Sequence, residues 1–159
     1  MAESLIPKNF RDTTILIEDG TGTPLNYTVA FEPGDAAFDI GKDEIAVYRD
    51  RGSVASVRLT NQGLPSGSFS CHFRDLTDGT DETLTDILDK KGAFAAAIST
   101  LGADADVYTV KLTFTIAEPG SAPDHTISFD DCYCTWSFSE GDPSSVSVNW
   151  TSHGTVAQT

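Results

Sequence analysis

From Val107 to Ala117 the chain alternates residue by residue. Tyr108, Val110, Leu112, Phe114 and Ile116 are apolar or aromatic, and Thr109, Lys111, Thr113 and Thr115 between them are polar. A period of two places each set on its own face of a strand, so this stretch reads as a half-buried member of an antiparallel sheet. The pattern recurs along the chain. Phe69, Cys71 and Phe73 alternate with Ser68, Ser70, His72 and Arg74; Val146, Val148 and Trp150 alternate with Ser145, Ser147 and Asn149; Tyr27, Val29 and Phe31 alternate with Asn26, Thr28 and Ala30. Thr13–Glu18, Ile45–Tyr48 and Val54–Thr60 are rich in strand-forming residues. Turn clusters separate these runs, among them Asp19-Gly20-Thr21-Gly22, Arg49-Asp50-Arg51-Gly52, Gly63-Leu64-Pro65-Ser66-Gly67 and Glu140-Gly141-Asp142-Pro143.

One strand changes phase. Ile127 and Phe129 are odd-numbered, whereas Cys132, Cys134, Trp136 and Phe138 are even. One extra residue at Asp130-Asp131, a β-bulge, brings both sets to the same face. A single helix is expected over about residues 82–91. Asp81 can cap it, Leu84, Ile87 and Leu88 form its apolar stripe, Lys90 and Lys91 suit its last turn, and Gly92 suits its end. Ala93–Ile98 fits both a helical turn and a strand. With 159 residues the chain is one domain's worth. The expected organisation is an N-terminal arm over 1–12, a single β domain over 13–151 and a short polar tail over 152–159. The fold class is mainly β: an antiparallel sandwich or half-barrel of about seven short strands with one flanking helix.

Charge narrows the partners. There are 24 acids against 10 bases, a net −14, and no Lys or Arg follows Lys111. Such a field repels nucleic acid and anionic membrane at long range. It reads either as a solubilising surface or as one that must not adhere to a polyanion. No apolar run approaches the length of a membrane helix. Met1–Phe10 contains no secretory core, so the expectation is a chain made and kept in a cytosol. The odd cysteine count (Cys71, Cys132, Cys134) and that compartment argue for thiols used as small core residues.

Chemistry-bearing motifs are missing. The sequence has no phosphate loop, dinucleotide fingerprint, zincin helix or nucleophile elbow. Asp75–Glu82 is acidic but departs from calcium-loop spacing, and neither the cysteines nor His72, His125 and His153 have zinc-ligand spacing. The glycosylation sequons at Asn26 and Asn149 lie inside expected strands. The expectation is a protein without enzymatic activity, cofactor or metal. What remains is the character of the outward strand positions, which are small and hydroxylic: Ser68 and Ser70; Thr109, Thr113 and Thr115; Ser145, Ser147 and Asn149. They read as a solvated sheet face or as a smooth wall past which a polyanion can slide.

The order of these elements, and the closing run Ser137–Gly154 with its acidic turn, alternating Val and Ser, and small-residue end, resembles the major tail tube proteins of long, flexible-tailed bacteriophages. The resemblance covers most of the chain. It implies hexameric rings whose sheets close into an inner β-barrel, stacked into a virion tail tube and assembled in the host bacterial cytoplasm. It implies contacts with further copies, with a tape-measure protein and with tail terminator and distal tail proteins, and DNA only as transiting cargo. The expected inter-subunit contacts are Leu5, Ile6, Pro7 and Phe10 in the arm, Pro33, Phe38 and Ile40 in the long connection, and Arg49, Arg51 and Leu64 in the turns beyond it. Phe38 and Ile40, apolar in a Gly- and Asp-rich segment, fit a partner's pocket or a cover for the domain's own core. On the first reading Phe38→Asp blocks polymerisation and leaves the monomer folded. Two other classes share the composition. One is a carbohydrate-binding or adhesin-like module, in which Tyr133, Trp136 and Trp150 stack on sugar, although strand phase places both tryptophans in the core. The other is a capsid decoration protein.

Overall fold

The computed structural model describes residues 13–30, 36–72, 83–117 and 123–159. Among them run β1 (Thr13–Glu18), β2 (Asn26–Ala30), β3 (Ala36–Asp39), β4 (Glu44–Asp50), β5 (Ser53–Asn61), β6 (Ser66–His72), helix α1 (Leu84–Asp89), β7 (Val110–Ile116), β8 (His125–Ser139), β9 (Ser145–Ser152) and β10 (Val156–Gln158). The main sheet has the order β2-β1-β7-β8-β9-β6-β3, with β10 beside β8. Strands β4 and β5 form a separate two-stranded sheet. Every pairing is antiparallel. The mainly β fold with a flanking helix is therefore as the alternation predicts. Two segments read as irregular are strands: β3 lies inside the long connection, and residues 156–158 of the expected tail pair with Ile127–Phe129.

The core forms where the period-two apolar sets meet. Ile15 and Ile17, Phe69, Leu112 and Phe114, Phe129, and Val146 and Val148 are all sealed from solvent in one cluster. The sheet must curl to make it. Phe38 on β3 has its ring 5.5 Å from Phe114 on β7, four strands along the sheet order. In a flat sheet that step spans about 19 Å. Phe129 lies 5.4 Å from Phe38 and 4.5 Å from Trp150, so aromatic rings fill the hollow of a half-barrel. Helix α1 covers the remaining opening with Leu84, Ile87 and Leu88.

The expected bulge is present. Val110 faces Cys132 and Leu112 faces Phe129, so Asp130 and Asp131 together oppose Lys111, and Asp131 has φ +53°. Three hydroxyls hold it: Thr155 Oγ1 donates to Asp130 Oδ2 at 2.7 Å, Thr100 Oγ1 to Asp131 Oδ1 at 2.7 Å, and Ser152 Oγ to the Asp130 carbonyl at 2.7 Å. The two acids are thus committed to folding the strand.

Three local expectations are corrected. The helix is shorter than residues 82–91: Thr83 is its N-cap, its N–H donating to Asp86 Oδ2 at 3.0 Å, and Lys90 ends it in the left-handed region. Asp81 lies outside the described residues. Gly92, also at positive φ, instead opens a short 3-10 turn. Thr109 is buried, not solvated, because the 97–100 segment covers it there and supplies Ser99 Oγ at 2.9 Å and Thr100 Oγ1 at 2.8 Å. Trp136 keeps core phase but is 37% exposed, whereas Trp150 is 2% exposed. Strand β8 outruns its β7 pairing at Cys132, so its far half hangs past the core, and Trp136 Nε1 donates to Asp89 Oδ1 at 3.0 Å.

Asp19 shows how a turn residue becomes structural. It is buried, and its carboxylate accepts the Leu25 N–H at 2.8 Å, the Thr21 hydroxyl at 2.8 Å and the Ile98 N–H at 3.0 Å. It ties the β1–β2 turn to a segment 79 residues away. Asp19→Ala leaves two backbone donors without their charged acceptor, and a denaturant melt should record a loss of about 2–3 kcal/mol.

Candidate assembly surfaces

Strands β4 and β5 are joined by Arg51-Gly52, both at positive φ, the geometry that a two-residue hairpin with right-handed twist requires. The hairpin rises from a narrow neck. A side chain at Gly63 would meet the Lys42 carbonyl at 2.4 Å, and one at Gly41 would meet the Leu64 carbonyl at 2.8 Å, so glycine lets the two legs touch. Gly63 N–H donates to Asp43 Oδ1 at 2.9 Å and Gly41 N–H to Asp39 Oδ1 at 2.8 Å, which fixes where the hairpin leaves the body.

Its composition is amphipathic, yet its apolar face is uncovered. Ile45 faces Leu59 and Val47 faces Val57 across the strands, and all four are exposed, Leu59 by 69% and Ile45 by 57%. Val54 and Tyr48 are exposed as well. Among the described residues β4 and β5 pair only with each other. A lone two-stranded hairpin is marginal in water, and one that bares an apolar face has a surface built for another surface.

A second surface is the outer face of β8, β9 and β6. Ser137, Ser147 and Ser70 make one row across the strands, and Thr135, Asn149 and Ser68 make the next. The opposite face of the same strands is the core of Phe69, Val146, Val148 and Trp150. The β6 and β9 part of the expected hydroxyl wall is therefore one contiguous patch with β8, and these two rows carry no ionised side chain, whereas Thr109 of the expected wall is buried.

A third surface is an apolar groove of about 660 Å³ beside the start of β7. Leu101, Val107, Tyr108 and Tyr133 line it, with Asp106 and His153 at its margin. The Tyr108 hydroxyl is buried with no hydrogen-bond partner among the described residues. Burial, reinforced by the charge of Asp19, pushes its ionisation well above the usual tyrosine range.

The sequence-derived contact candidates divide. Arg49 and Arg51 lie at the hairpin tip and are exposed, and Ile40 and Leu64 are exposed beside its neck. Phe38 is half-buried against Phe114 and Phe129, so it covers the domain's own core and Phe38→Asp strikes the fold before any assembly. Leu5, Ile6, Pro7, Phe10 and Pro33 lie outside the described residues. The apolar face of β4 and β5 was missed as a site. Its signal was present, since Ile45, Val47, Val57 and Leu59 alternate, but alternation does not say which surface covers a strand.

Two further features bear on chemistry. Tyr133 and Trp136 sit three residues apart on one strand and so face opposite sides, while Trp150 is buried. They form no shared stacking platform for a sugar. Cys132 is buried, and loss of solvation is the main reason its thiol is pushed up to about 12 from an ordinary value near 9. Burial raises Cys134 in the same way. Both thiols stay protonated at neutral pH, so a thiolate-selective disulfide reagent should label them on the unfolding timescale. Raised pKa values also mean that the folded state binds these protons more tightly than the unfolded chain. Stability is complete below about pH 9 and declines as pH rises towards 12.

No family model and no curated protein matches the chain. Two solved structures are similar. One is an extracellular contractile injection system, the PVC sheath/tube terminator in the extended state, at 13% identity and a TM-score of 0.59, covering 100% of this chain and 99% of that one. The other is the anti-feeding prophage baseplate, 6-fold symmetrised, at 10% identity and a TM-score of 0.56, covering 100% of this chain and 97% of that one. At such identities the likeness is one of overall fold, and it covers this chain from end to end.

Proposed function

We propose that the protein is a non-enzymatic structural subunit of a phage-tail-like tube, with copies joined in rings that stack around a hollow axis. The carrying observation is the detached hairpin, an arm with an uncovered apolar face on a body that already has a complete core. Three others support the reading. The likeness spans whole chains of a tube-terminator and a baseplate structure, the latter with 6-fold symmetry, which favours six copies per ring. Among the described residues the main sheet ends at β2 and β3, edges that neighbouring copies in a ring would cover. The hydroxyl wall and the net charge of −14 suit a lumen past which DNA moves without adhering.

In this reading a ring forms first and the hairpin bridges to the next copy. The wall across β6, β9 and β8 faces the channel, where it makes weak, exchangeable hydrogen bonds while the acidic field keeps phosphates at a distance. The tape-measure and terminator partners belong to the same reading. Sedimentation velocity over a concentration series tests it. The expected result is a shift from the 17.0 kDa chain to a discrete multiple and then to longer species. A single 17.0 kDa boundary at every concentration would refute it.

A further inference from the structure

The hairpin's charge is unlike that of the rest of the chain. Residues 44–61 hold Arg49, Arg51 and Arg58 against Glu44 and Asp50, so the arm is net positive and all of the chain's negative excess lies elsewhere. Two of those arginines flank the tip, and Arg49 Nη1 is engaged only loosely, by the Gly52 carbonyl at 3.4 Å. The tip is therefore apolar and basic together, with Val54 and Tyr48 exposed beside the guanidinium groups.

The groove beside β7 is the complement. Leu101, Val107 and Tyr133 expose apolar surface around it, and the acids Asp104 and Asp106 stand on the same loop. Lys90 Nζ already lies 5.5 Å from the centroid of the Tyr108 ring, so the exposed Tyr133 ring and the Asp106 carboxylate are what an arginine head group can use, stacked on the one and paired to the other.

We infer that the groove formed by Leu101, Val107, Tyr108 and Tyr133 receives the β4–β5 tip of a second copy, with Arg49 or Arg51 paired to Asp106. This rests on the tube-subunit reading and deepens it by naming the receiving surface. The contact is heterologous, tip on one copy and groove on the next, so it propagates without closing on itself, as a stack requires. The basic tip and acidic groove also set polarity, since tip-to-tip and groove-to-groove encounters bring like charges together.

A charge-swap cycle tests it. Arg51→Asp with Arg49→Asp, and separately Asp106→Arg, should each weaken assembly by at least about tenfold in sedimentation. Combining them should restore it, because the pair is remade in reverse. Thermal melts of each variant report folding, and all three positions are exposed. If the tip variant and the groove variant both assemble like the wild type, or if the combination fails while each melts normally, the groove is not the receptor. That outcome leaves the tube-subunit reading standing, provided wild-type protein still assembles. Failure of the wild type itself removes both.

Discussion

Val47→Lys combined with Val57→Lys should leave the protein folded and monomeric at concentrations where the wild type assembles. The two valines face each other on the uncovered side of the hairpin, and both are exposed in the isolated chain. Substituting them removes nothing from the core, so stability should change by no more than about 0.5 kcal/mol. If the same face is buried against a neighbour, two charges are forced into an apolar contact. Leaving buried charge unpaired in that contact should cost about 2 kcal/mol or more in total, so the assembly threshold should rise at least about 30-fold. The measurement is paired: a melt for the fold and sedimentation for the assembly. A variant that assembles at the wild-type threshold would show that the hairpin's apolar face is not a contact, and the function proposed above would lose its main support.

Phe129→Ala acts on the opposite quantity. Phe129 is fully buried at the centre of the aromatic cluster, with ring centroids of Phe38, Phe114 and Trp150 at 5.4, 5.8 and 4.5 Å. Truncation opens a cavity that three rigid rings cannot collapse into, and the expected loss is about 3–5 kcal/mol. That is a large part of what a single domain has, so the variant should melt well below the wild type and fail to assemble for want of a folded subunit. A loss under about 1 kcal/mol in denaturant titration would mean that the curled sheet does not close on itself there. The contrast between the two variants matters: one should abolish assembly at constant stability, the other through stability.

How much of this was legible depends on what alternation encodes. Phe114, Val146 and Val148 fall on the core face because period two fixes which side chains share a face. The bulge at Asp130-Asp131 was legible for the same reason, since a phase change in an apolar run has few other solutions. Where the reading failed, the deciding fact was long-range. Trp136 has the phase of a core residue, but β8 extends beyond its neighbour, and strand length relative to a partner is not written in either strand alone. Thr109 is buried because the segment nine to ten residues before it folds back over the strand and brings hydroxyl partners. Phe38 in a glycine-rich segment fitted two roles, and only the curl of the sheet chose between them. The hairpin is the deepest case. Its apolar face was readable at Ile45, Val47, Val57 and Leu59, but no local signal distinguishes a face covered by the same chain from one left for another. A body with 22 of the chain's 24 acids (24 − 2) and an arm with three arginines is a cue to that division, visible once the boundary of the arm is known.

The central claim is that acidic β-subunits join around a hollow axis and stack through their hairpins. Electron microscopy of concentrated wild-type protein addresses it most directly, with the Val47→Lys/Val57→Lys variant imaged alongside. Rings or stacked tubes with a stain-filled centre are expected for the wild type and dispersed single subunits for the variant. Solid or isolated particles in the wild-type field, or tubes formed equally well by both proteins, would contradict it.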